Sequence, residues 1–154
     1  PPKAASNGFT IERSSYLPDG TEADMADVHQ NDRFVVVLSM TAKQLGSGQY
    51  LVADPLPAGF EIENPDLSAS QGVADLSWLT VDTPTHVESR TDQYVAAFRY
   101  VEDADDFSTA YMVRAVSPGK FVLPGATIED MYRPEFRANT ASGTLTVKTP
   151  GSSQ

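Results

Sequence analysis

The chain of 154 residues contains no cysteine. That absence removes disulfides, thiolate metal ligands, iron–sulfur ligation and cysteine nucleophiles together, and leaves the redox compartment open. Positive charge is scarce as well: 11 Lys and Arg against 21 Asp and Glu give a formal net charge of −10. The few basic residues are scattered, so the positive stripe that a nucleic-acid backbone requires is missing, and protein partners are expected instead. No apolar run approaches the roughly 18 to 20 residues of a spanning helix, and no basic, apolar leader opens the sequence; no direct membrane insertion is expected. The first residue is proline, so the sequence is read as a processed chain or a fragment of a longer one. A broad negative field on such a chain favours a monomer.

What is present is alternation. In 33-RFVVVLSMTA-42, Phe34, Val36, Leu38 and Met40 alternate with Arg33, Val35, Val37 and Ser39. Tyr94, Ala96, Phe98 and Tyr100 share one face of 93–101, and Phe107, Thr109, Tyr111, Val113 and Ala115 share one face of 107–116. Shorter candidates are 9–16, 49–56, 58–64, 120–124 and 143–148. A period of two is the mark of strands with one face buried, and 18-PDG-20, 46-GSG-48 and 118-PG-119 punctuate them as turns. About seven or eight short strands of this kind predict an antiparallel β-sandwich. The length and the 40% apolar content suit one domain over 9–148, with turn-forming tails at 1–8 and 149–154. The spacing of Val73, Leu76 and Leu79 also fits one short helix near 73–80, and the single tryptophan, Trp78, is expected to pack over a sheet edge.

Catalytic patterns are missing. His29 and His86 stand in no metal-ligand spacing, no serine sits in a Gly-x-Ser-x-Gly elbow, and 46-GSG-48 has no following Walker lysine. The acidic run 102-EDADD-106 could offer oxygen ligands to a hard cation, but it lacks the glycine and distal glutamate of an EF-hand, so a solvated connection between strands is preferred. No metal, no cofactor and no enzymatic activity are assigned. The stretch 129-EDMYRPEFR-137 is different: proline restricts itself and the residue before it, so Arg133-Pro134 makes a stiff corner just after an adjacent Met131 and Tyr132.

Taken in order, 55-PLPAGFEIENP-65, 90-RTDQYVAAF-98, 111-YMVRAVSPGKFVLP-124, 127-TIEDMYRPEFRA-138 and the closing 143-GTLTVK-148 resemble the C-terminal macroglobulin-like domain of bacterial alpha-2-macroglobulins. Proline-glycine turns recur in many sandwiches; the shared order together with Met-Tyr-Arg-Pro carries the match.

The resemblance implies a macroglobulin-like β-sandwich that is a non-catalytic part of a large protease-trapping inhibitor, a periplasmic lipoprotein anchored to the inner membrane. In that family a protease cuts a bait region, and a Cys–Gln thioester in a separate helical domain then acylates the attacker. The terminal domain supplies a locking loop whose Met-Tyr pair, here Met131 and Tyr132, packs over the thioester beforehand. Its partners would be the thioester domain, the neighbouring macroglobulin domains and, through the parent, target proteases. Methionine fills irregular apolar space and tyrosine buries a ring while keeping a hydroxyl for a partner, so the pair suits the exclusion of water from an electrophile. Arg133, Pro134 and Glu129 are assigned to orienting the loop, with Arg133 and Arg137 pairing to Glu129, Asp130 or Glu135. In a parent without the thioester cysteine the same pair would be a domain-docking contact. Two other readings are set beside these. Met131 and Tyr132 could be ordinary packing residues, or the chain could be a stand-alone extracytoplasmic adhesion or ligand-binding sandwich whose site is 102-EDADD-106 and Trp78.

Overall fold

The computed structural model describes residues 4–42, 48–64, 78–82, 84–90, 92–99 and 106–150. Thirteen strands follow one another there: β1 (Ala5–Asn7), β2 (Phe9–Tyr16), β3 (Val28–His29), β4 (Arg33–Ala42), β5 (Gln49–Pro55), β6 (Phe60–Asn64), β7 (His86–Ser89), β8 (Gln93–Arg99), β9 (Asp106–Ala115), β10 (Gly119–Leu123), β11 (Thr127–Asp130), β12 (Arg137–Asn139) and β13 (Gly143–Lys148). Eight of them, β2, β4, β5, β6, β8, β9, β10 and β13, fall on the eight stretches that alternation marks as strands. The other five are two to four residues long, too short for a period to show. The count of seven or eight is corrected accordingly. The tail reading of 1–8 is corrected at Ala5–Asn7, a paired strand held by its backbone while its side chains stay exposed; residues 1–3 of that stretch lie outside the described residues. No helix occurs among the described residues; most of the helical turn expected near 73–80 lies outside them, and 78–82 is irregular.

The sheets follow the order β1-β12-β11-β5-β8-β7, β2-β4-β9-β6 and β10-β13-β3. All the pairings are antiparallel except β3 with β13. The two larger sheets pack face to face through aromatic rings. Tyr94 of β8 stacks on Tyr111 of β9 with centroids 4.4 Å apart, and Phe9 of β2 meets Tyr50 of β5 edge-on at 4.8 Å. Such pairs add to the burial of area that drives sheet packing. The three-stranded sheet closes one part of this core with Leu145, Val147 and Val28. Both faces of β4 are covered: Phe34, Val36, Leu38 and Met40 enter the main core, while Val35 joins Ala110 and Met112 under Trp78, Leu79 and Val81 on the outer face. Trp78 donates its indole N–H to the Pro18 carbonyl at 3.0 Å.

One charge is buried between the sheets. Asp54 of β5 accepts from Arg13 of β2 and from the Tyr111 hydroxyl of β9, so a single carboxylate joins the six-stranded sheet to the four-stranded one. Burial pushes the Asp54 carboxyl above its ordinary value, against the opposing pull of Arg13 and then Tyr111. A raised native value means that the contribution of Asp54 to stability is complete below the unfolded value near 3.8 and is lost as pH rises through the native one. Replacing Arg13 with methionine should cost about 3 to 5 kcal/mol at neutral pH, because an unpaired buried charge is left behind. The deficit relative to wild type should be smaller at about pH 4.5 than at about pH 8 in urea unfolding, since protonation relieves Asp54. Equal deficits at both pH values would assign Arg13 a packing role alone.

Candidate functional site

The Met-Tyr pair stands at the tip of a hairpin. β11 and β12 pair in the register Thr127↔Asn139, Ile128↔Ala138 and Glu129↔Arg137, and the other edge of β11 pairs with β5, setting Asp130 opposite Tyr50. Inward-facing Ile128 and Ala138 hold the hairpin to the core. Residues 131–136 connect the two strands. The Met131 amide donates to the Gln49 carbonyl at 2.9 Å, which fastens the start of the loop to β5, and the Asp130 amide donates to the Phe136 carbonyl at 3.1 Å. At the far side the Phe136 amide donates to the Arg133 carbonyl at 2.9 Å. That bond makes 133–136 a turn with Pro134 in its second position, where the fixed φ of proline is already correct.

The centre of the loop is Asp130, whose side chain has no exposed surface. Its Oδ1 accepts from the amides of Tyr132 at 2.9 Å and Arg133 at 3.1 Å, and its Oδ2 accepts from Arg133 Nη2 at 2.9 Å and Nε at 3.2 Å. An aspartate that bonds amides two and three residues ahead folds the chain back on itself, and the two-pronged guanidinium fixes the far wall. Burial raises the Asp130 carboxyl. The Tyr132 amide, then the Arg133 side chain and amide, outweigh burial and hold it below its ordinary value. Arg133 also lies over the Phe136 ring at 5.4 Å. Gly48 leaves room for this pair: a methyl group there would stand 3.0 Å from Asp130 Oδ2.

With its backbone so held, the loop projects two side chains. Met131 is 49% exposed and Tyr132 is 72% exposed. Four large hydrophobic residues are exposed among the described residues, the others being Leu17 and Val122, and only Met131 and Tyr132 are adjacent. The reading of this pair as ordinary packing residues does not fit that exposure. Of the residues assigned to orienting the loop, Arg133 and Pro134 lie within it. Glu129 is half-buried in β11, opposite Arg137 and Leu51, and the carboxylate that closes the loop is Asp130. The sequence offered a signal for it, an Asx residue at a strand end just before a proline turn.

The remaining candidates lie apart. His29 is in the three-stranded sheet and His86 on the edge strand of the six-stranded one. Among the described residues, no three His, Asp or Glu gather as a metal site would need. Residues 102–105 of the acidic run lie outside the described residues, and Asp106 opens β9.

The sequence matches the family model for the bacterial alpha-2-macroglobulin MG10 domain over residues 8–135, a span that includes Met131 and Tyr132. It is 30% identical over 158 residues to alpha-2-macroglobulin of Escherichia coli K12, spanning 97% of this chain and 9% of that protein. The fold superposes on the native conformation of E. coli alpha-2-macroglobulin with a TM-score of 0.84 and 31% identity, over 96% of this chain and 10% of that one. On Salmonella alpha-2-macroglobulin reacted with methylamine the TM-score is 0.76 and the identity 32%, again over 96% of this chain and 10% of that one. The chain therefore spans about a tenth of the length of these relatives. Sandwich, block order and a family model that covers most of the sequence agree: the chain belongs to the MG10 domain family of bacterial alpha-2-macroglobulins.

Proposed function

We propose that this domain serves a protease-trapping parent as a non-catalytic C-terminal lid, with Met131 and Tyr132 packing over the thioester of a separate domain until the bait is cut. The observation that carries the reading is a contrast within six residues. The loop backbone is braced by a fully buried Asp130, yet the loop presents a thioether and a phenol ring to solvent. A rigid frame with an exposed apolar tip suits docking into a neighbouring surface, because little ordering entropy remains to be lost on contact. A Salmonella relative is described as reacted with methylamine, and a small amine attacks an acyl electrophile such as a thioester. Shielding such a bond from water and amines requires apolar cover with few mobile parts.

Through the family resemblance alone, the reading also carries a periplasmic parent anchored to the inner membrane as a lipoprotein, with the thioester domain, the neighbouring macroglobulin domains and attacking proteases as partners. The alternative of a ligand-binding sandwich centred on Trp78 is weakened by that residue's position, since its N–H is bonded to Pro18 and its ring lies against Tyr16.

In the intact parent without protease, Tyr132→Ala should speed thiol release in methylamine by on the order of tenfold, the rate equivalent of about 1.4 kcal/mol of lost shielding. Unchanged release from a folded variant with a confirmed thioester would reduce Tyr132 to a surface residue. The brace has its own test. Asp130→Asn keeps the shape but loses the charge, and should cost about 1 to 3 kcal/mol at neutral pH. A lowered native value is stability present above the unfolded one, 3.8, and lost as pH falls through the native one. Wild type and variant should therefore approach each other in urea unfolding at about pH 3. A gap that persists there would mean that Asp130 does not act through its charge.

A further inference from the structure

We infer that β1 is a strap over the locking hairpin, and that Asn7 is a positioning residue for Met131 and Tyr132. The inference rests on the lid reading for its consequence but not for its geometry. β1 is the last strand on its edge of the six-stranded sheet and pairs there with β12, the returning arm of the hairpin, in the register Ala5↔Asn139, Ser6↔Ala138 and Asn7↔Arg137. Next to the last of these pairs, Asn7 Nδ2 donates to the Glu135 carbonyl at 2.7 Å. That bond reaches into the turn that carries Pro134. The loop is therefore held from both sides: Gln49 on β5 takes its first amide, and Asn7 on β1 bonds its penultimate carbonyl.

The strap can be released without disturbing the core. All three of its side chains are exposed, so it is held by backbone pairing and the Asn7 amide and buries no apolar anchor. At its end Gly8 has a φ of 80°, a left-handed corner open to glycine. There the chain leaves the six-stranded sheet for the four-stranded one. Phe9 follows immediately, buried and packed edge-on against Tyr50. A glycine hinge beside a buried anchor lets a pull on the segment before residue 8 lift β1 while β2 stays in place. The three strap residues therefore connect whatever moves that segment to the geometry of the lock.

Two measurements on the same substitution separate the strap from the lid. Asn7→Asp keeps the size of the side chain, removes the N–H donor and sets a negative charge against the Glu135 carbonyl. In the 154-residue chain, native-state hydrogen exchange of the amides at Asp130, Met131 and Phe136 should rise by about 3- to 10-fold, as for loss of one hydrogen bond, while amides of β4 remain unchanged. Removal of residues 1–7 should raise it further. Unchanged exchange in the loop for both variants would overturn the strap whatever the parent does. In the intact parent, Asn7→Asp should speed thiol release in methylamine in the same direction as Tyr132→Ala. If Tyr132→Ala speeds release and Asn7→Asp does not, the strap does not position the lock and the inference falls. If neither substitution changes release but loop exchange rises, the lid reading fails and Asn7 stands as the residue that positions the loop.

Discussion

A carboxylate taken out of water must be met by donors on every side, and two aspartates in this domain impose that demand. Asp54 draws donors from the facing sheet, so its requirement helps to fix how the two large sheets are placed. Asp130 draws its donors from Tyr132 and Arg133, two and three residues ahead, and its requirement fixes how the chain turns at the tip of the β11–β12 hairpin. Burial raises both carboxyls, but the net shifts have opposite signs. Asp54 ends above its ordinary value because desolvation outweighs Arg13 and Tyr111, whereas the amides and guanidinium around Asp130 outweigh its desolvation and leave it below.

This difference bears on function. Surface ion pairs contribute little because water competes for both partners. A buried carboxylate that accepts two amides and a two-pronged arginine defines a backbone path instead, and a defined path is what presenting a pair of side chains at a fixed height requires. The exposed tip and the hidden frame belong together: Met131 and Tyr132 can stand in solvent because Asp130 does not.

The sequence made the long strands legible and left the short ones hidden, for a physical reason. β4 and β9 run for ten residues each, and their inner faces repeat apolar groups often enough for the period of two to emerge. β1, β3, β7, β11 and β12 have two to four residues and are specified by neighbours that pair with them, which no local pattern reveals. The presented loop was legible from Met131-Tyr132 beside Arg133-Pro134, because proline acts locally. The sequence assigns Glu129 to orienting the loop and names Asp130 only as one of three carboxylates for the arginines to pair with, whereas it is Asp130 that holds Arg133 and the loop. Both are carboxylates within four residues of Arg133, and the alternation of β11, which buries residue 130 and leaves 129 half-buried, separates them. Asn7 lay in a stretch read as a tail, since its partner is 128 residues away.

Trp78, the sole tryptophan, sits on the outer face of the four-stranded sheet against Tyr16, across the sandwich from the hairpin. The domain thus contains a built-in optical probe of limited scope. Its emission reports loss of the 78–82 cover and of the whole fold, but a lift of the strap or a swing of the loop would leave it unchanged. A thermal melt followed by tryptophan emission alone would then be blind to the strap and to the loop that presents Met131 and Tyr132.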